Sequence, residues 1–252
     1  MQGSLKLTWV ELKLFVRDPF ATVFVLVRPL IMLLLLAAVF GDTPPTDMMN
    51  GLLVFRGVSG DDYHVAASVA LVIAAIGLLI LPTHIASYRE QGVLRRFEAT
   101  SVPPRAIFAS QLMVGLIAAI VGSLFMVAIA TPIYGTMLPE DLIGILAAIA
   151  LSMLCFTAIG FALGSFFPTA RAAQGIGLIL FFVLWMLSCT GPPRAVLPDG
   201  VRRLGEYEPL THVVIAIQDP WFGHGWDSEN LLTIAVVTVA AAAIGIWRFR
   251  WD

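Results

Sequence analysis

Runs of about twenty apolar residues, enough for a helix rising 1.5 Å per residue to cross the hydrocarbon of a bilayer, recur along this chain. Six can be delimited: Phe20 to Phe40, Val65 to Ser87, Ile107 to Ile133, Leu142 to Phe167, Ala172 to Ser188 and Leu231 to Trp247. In lipid no water satisfies backbone N–H and C=O groups, so each run must close its own hydrogen bonds as a helix. Composition agrees, with 59% hydrophobic and 13% charged residues. The expectation is an all-α polytopic membrane protein with six transmembrane helices, one domain over residues 1–252, and no soluble domain between the spans. The turn FPTAR after Phe166 is brief, with Pro168 breaking one helix and Arg171 on an aqueous face.

Basic residues set the orientation. With the amino terminus inside, the cytoplasmic side holds Lys6, Lys13, Arg17, Arg89, Arg95, Arg96, Arg105, Arg171, Arg248 and Arg250, against Arg56, Arg194, Arg202 and Arg203 outside. Both termini are therefore expected in the cytoplasm. The net charge of -2 hides this polarity and gives no support to nucleic-acid binding.

Two charged stretches flank the apolar runs. Residues 1–19 lack the layout of a cleaved signal peptide and read as an interfacial helix. Leu5, Trp9, Leu12 and Val16 form one stripe, Lys6, Lys13 and Arg17 flank it, and Leu7, Val10 and Leu14 form a second apolar surface able to meet protein. Asp18-Pro19 should end that helix. The second stretch, 88–105, contains REQGVLRRFEATSVPP. It reads as a short amphipathic helix with Val93, Leu94, Phe97 and Ser101 on one side and Arg95, Arg96 and Glu98 elsewhere, stopped by Pro103-Pro104.

Buried chemistry is sparse. His64, His84, His212 and His224 lack paired ligand spacing, so no metal site is expected. Cys155 and Cys189 lie at different depths and read as free thiols. Ser123, Ser152 and Thr157 read as helix-packing residues near Gly122 and Gly160, and no catalytic residue is assigned. No acid lies deep in a span, against an ion-coupled secondary carrier. Arg28 is the one deep charge, expected to snorkel toward the cytoplasmic interface. The only lysines, Lys6 and Lys13, follow no glycine, so the chain carries no Walker A loop of its own.

The stretch REQGVLRRFEATSVPP resembles the cytoplasmic coupling region of type 2 ABC transporter permeases of the daunorubicin-resistance class, whose pattern runs approximately ExGTLExLxxTPxxR. Glu90, Gly92, Leu94, Phe97, Thr100, Val102 and Arg105 stand at or near matching places, while Val93 replaces a threonine and Arg95 a glutamate. The outer stretch PPRAVLPDGVRRLGEYEPLTHVVIAIQD is similar to the family's segment before the last span. There, two short re-entrant helices close the outer end of the pathway.

The resemblance implies a set of roles. Glu90, Gly92, Val93, Leu94, Arg95, Arg96, Phe97 and Glu98 would couple to an ATPase whose groove receives Val93, Leu94 and Phe97. Pro198, Glu208, Pro209, Leu210, Thr211 and His212, within residues 190–228, would form an outer gate. It further implies a second permease copy or related chain, with ATP and magnesium bound by a separate nucleotide-binding subunit. A path offering Phe125, Phe156, Phe182 and Trp185 suits hydrophobic or amphipathic small-molecule cargo such as drugs or antibiotics. Lipid or glycan envelope components are the alternative cargo, and a non-transporting membrane anchor or scaffold, or an ion-coupled secondary carrier, the alternative of another class. An importer subunit is disfavoured, because no EAAxxxG loop occurs around Ala86 to Gly92.

Overall fold

The structure, a computed structural model, describes residues 2–41, 43–49, 52–99, 104–188 and 190–249. Among these, six helices are long and apolar enough to cross a membrane: Pro19–Phe40, Gly60–Glu90, Ala106–Tyr134, Leu142–Phe166, Ala170–Leu187 and Ser228–Arg248. They are the six expected spans, in order, in a multi-pass all-α bundle. Several run past their apolar cores because polar caps extend them. Asp18 caps the first, its Oδ1 accepting from the Phe20 N–H at 2.9 Å with Pro19 in the first turn. Ser59 caps the second, so that helix begins at Gly60 rather than Val65. Thr169 and Asp227 cap the fifth and sixth.

Four shorter helices accompany the spans: Gln2–Arg17 ahead of the first, Val93–Ala99 between the second and third, and Asp199–Gly205 and Pro209–Trp221 between the fifth and sixth. A small antiparallel hairpin, with Met48 opposite Leu53 and Met49 opposite Leu52, follows the first span.

The second span is the axis of the molecule. Its apolar window is buried along its whole length, whereas the other five leave much of theirs exposed. It packs on the first, third, fourth and fifth spans and on Pro209–Trp221, and the sixth span lies along the fourth. Close approach depends on absent side chains: a Cβ on Gly160 of the fourth span would run into the Gly77 carbonyl, and one on Gly177 of the fifth into the Leu78 carbonyl.

The first and second spans each contain one π-helical turn, Val23–Val27 and Ile76–Ile80, and each turn lies just ahead of a proline, Pro29 and Pro82. Proline supplies no N–H and collides with the carbonyl four residues back, so an ordinary α ladder cannot pass it undisturbed. The extra residue of a π turn absorbs that break. The carbonyl that Pro82 leaves without its usual donor is that of Leu78, the one that Gly177 approaches.

Candidate functional site

At the end of the bundle carrying both termini, the last turns of the second span connect four other segments. Tyr88 donates its hydroxyl to Glu11 Oε2 at 2.6 Å, holding the amino-terminal helix. His84 Nε2 lies 3.3 Å from Asp18 Oδ2, and that hydrogen bond holds the Asp18 carboxyl below the usual carboxylate range. Arg89 donates to the Gly164 and Phe167 carbonyls at 3.0 and 2.8 Å, closing the end of the fourth span. Glu90 Oε2 accepts from the Ala170 N–H at 3.1 Å, at the start of the fifth.

Gly92 then turns the chain with φ +68°, a left-handed conformation that favours glycine, and Val93–Ala99 begins. Its Phe97 ring meets Tyr88 edge to face at 6.4 Å. Leu94 is fully buried against the bundle, while Arg95, Arg96 and Glu98 are exposed and Val93 and Phe97 half-buried. Two expectations change here. Leu94 anchors the short helix instead of entering a partner's groove, and Glu90 braces the fifth span, so the outward surface is chiefly charged. Thr100 and Val102 lie outside the described residues.

The amino-terminal helix also turns differently from expectation. Its bundle-facing residue is Glu11, 3% exposed and flanked by half-buried Thr8, Leu12 and Phe15, whereas Trp9, Val10, Leu14 and Val16 are exposed. A carboxylate has replaced the second apolar stripe as the protein contact because Tyr88 pairs with it.

At the opposite end, Pro198 precedes Asp199–Gly205, and Glu208 caps Pro209–Trp221. Glu208 accepts from the Leu210 N–H at 2.8 Å and from the Thr211 N–H and hydroxyl at 2.5 and 2.6 Å. Burial nevertheless pushes its carboxyl up to about 7 against those hydrogen bonds. Pro209–Trp221 sinks into the bundle, with Leu210, Val213 and Ile217 fully buried, while Leu204 of the preceding helix stays exposed. His212 is tied at both ring nitrogens, to Asn230 Oδ1 at 2.7 Å and the Glu206 carbonyl at 3.0 Å.

Sequence reasoning missed the Arg56 anchor. Arg56 has φ 56° and reaches Asp219 at 2.7 Å and Gln218 Oε1 at 3.1 Å, joining the loop after the first span to the outer helix. A positive φ at a non-glycine residue carries no sequence signal. Arg56 and Gln218 border a cavity of about 720 Å³ whose lining also includes Arg194, Arg202 and Glu206.

Of the four path residues, only Phe182 and Trp185 come together, with ring centroids 6.2 Å apart. Phe156 is fully buried against Gly77, so it packs the core and lines no path. Phe125 is exposed on the third span, outside that ring pair. Arg28 does not snorkel: its guanidinium carbon lies 4.2 Å from the Phe181 ring centre, 4.3 Å from Phe182 and 5.4 Å from Phe24. His64 also departs from expectation, lying within the second span at 2% exposure among Phe40, Phe55 and Tyr63.

Ser123 bonds back to the Ala119 carbonyl at 2.6 Å, whereas the Ser152 and Thr157 hydroxyls are buried without a partner. Cys155 is a buried free thiol, and Cys189 lies outside the described residues.

No curated protein matches this chain. The family model for the ABC-2 type transporter membrane component matches residues 5–222, from the amino-terminal helix through the outer helix pair. The six apolar helices of the bundle agree with a membrane component of this kind. The chain belongs to the ABC-2 type transporter family and is a permease subunit of an ABC transporter.

Proposed function

We propose that this permease exports amphipathic or hydrophobic compounds, drugs or antibiotics among them, as in the daunorubicin-resistance class. It sits in a bacterial plasma membrane with both termini in the cytoplasm. Two such chains, identical or related, enclose the path, and a separate subunit binds ATP and magnesium. The observation carrying this reading is the brace at the end of the second span, where Tyr88, Arg89, Glu90 and Phe97 bind four segments together. A push on Val93–Ala99 is thereby delivered to several spans at once. Nucleotide-driven closure of the ATPase pair supplies the push and shifts the bundle toward an outward-open state. Pro198, Glu208, Pro209, Leu210, Thr211 and His212 form the outer closure.

Arg95, Arg96 and Glu98 set the register with the ATPase. The substitution Arg95→Glu is expected to weaken co-purification of the ATPase and drug-stimulated hydrolysis sharply while leaving the detergent-solubilised chain as thermostable as before. Retention of the ATPase by this variant would refute the assignment. One observation favours lipid or glycan envelope components as the cargo: the outer cavity, whose polar lining of Arg56, Arg194, Arg202, Glu206 and Gln218 suits sugar hydroxyls, its arginines being paired with carboxylates. Unchanged drug tolerance with altered envelope composition on removing the gene would decide for that class.

A further inference from the structure

We propose that Arg28 binds the oxyanion head of an amphipathic molecule whose apolar body lies along Phe182 and Trp185. The proposal deepens the exporter reading by giving its cargo a charge, and as a statement about cargo it rests on that reading. The binding itself requires no transport.

Arg28 lies nine residues into the first span, about 14 Å along the helix from Pro19 and far from either end. It makes no hydrogen bond or ion pair with any described residue, and its Nη1 is buried without a partner. Within the spans, acidic side chains occur only in the end turns, at Asp61, Asp62, Glu90 and Glu229. The described residues therefore supply no counter-charge at this depth.

What they supply is aromatic surface. Cation–π contact contributes about 0.5–2 kcal/mol per favourable ring, comparable over three rings with the roughly 2.5–3.5 kcal/mol cost of a cation at the bilayer centre, yet it satisfies none of the N–H donors. Rings also engage only the flat faces of a guanidinium, leaving its N–H edge. That edge is a planar fork matching two oxygens of a carboxylate, phosphate or sulfonate. A neutral acceptor would satisfy the donors and leave the charge; an oxyanion satisfies both.

The surroundings accommodate the rest of such a molecule. Phe181 is 1% exposed and fixes the cation from the protein side, whereas Phe182 is 44% exposed. Val27 and Ile31 of the first span and Met186 of the fifth are apolar and exposed as well. Trp185 stands beside Phe182 and reports on the site by its fluorescence.

The test uses the whole chain in phosphatidylcholine nanodiscs, titrated with dodecyl phosphate, dodecyl maltoside and dodecyltrimethylammonium. The Trp185 signal is identified by its loss in W185F. Dodecyl phosphate should bind 10- to 100-fold more tightly than the other two, the range of a charge-assisted paired contact. R28Q should erase the difference and R28K keep part of it. Equal affinity for the three probes, or an undiminished anion preference in R28Q, would overturn the site. A second copy capping Arg28 with its own carbonyls would also give equal affinities. Where R28Q fails to fold, the native ranking of the three probes decides. In proteoliposomes holding the chain with its ATPase, anion binding without ATP-dependent movement of any of the three amphiphiles would keep this site and remove the exporter reading. ATP-driven movement of a neutral or cationic amphiphile, unchanged in R28Q, would do the reverse.

Discussion

Glu208 places a carboxyl that burial raises to about 7 at the start of a helix sunk into the outer end of the bundle. Its ordinary value is 4.5, so between these limits the folded chain holds the proton more tightly than the unfolded chain does. Stability is therefore greatest below the ordinary value, declines as pH rises through this window, and levels off above the folded value. Thermal unfolding in detergent should show the midpoint falling between about pH 5 and pH 7.5. Glu208→Gln keeps an acceptor for the cap without the charge, and should flatten that slope. At this scale the sequence was least legible. The long stem of Arg28 permits snorkelling, and the rings that hold it instead come from a span some 150 residues away. Periodicity puts Leu94 on an apolar face without saying which neighbour covers it, and in the structure that neighbour is the bundle.

Among the elements, hydropathy made all six spans legible, since the bilayer permits so few backbone solutions. Their ends were less so. The second span gained Gly60 to His64 because Ser59 caps it and Asp61 and Asp62 favour its first turn, information that an apolar window discards. Contacts between spans were not legible either, because small residues mark close approach without naming the partner. Gly160 is such a point, and Gly160→Leu must displace backbone as well as side chains. Overpacking of this kind destabilises by about 1–3 kcal/mol, to be read as a lower thermal midpoint of the purified chain. Gly175, where an added Cβ meets nothing within 4 Å, is the control: Gly175→Ala should leave the midpoint unchanged or raise it.

For the whole molecule, the buried second span makes contact with nearly every other part. Its π turn at Ile76–Ile80 means that the helix holds one residue more than an α ladder requires at that point. The two halves are accordingly out of phase, and the chain carries a built-in angular offset between its ends. Deleting one residue from Ile76–Ile80 would restore a regular ladder while re-indexing Leu81–Glu90 by about 100° and 1.5 Å relative to the outer half. Tyr88, Arg89 and Glu90 would then point away from Glu11, the fourth-span carbonyls and the fifth span. A chain so shortened should still insert and yield helix-rich protein, yet its amino-terminal helix should exchange amide hydrogens freely and its ATPase should no longer respond to cargo. The same offset gives the proline at position 82 its tolerance: without the spare residue, the axis of the bundle would be a broken rod, and with it the rod is a clock hand set one hour ahead.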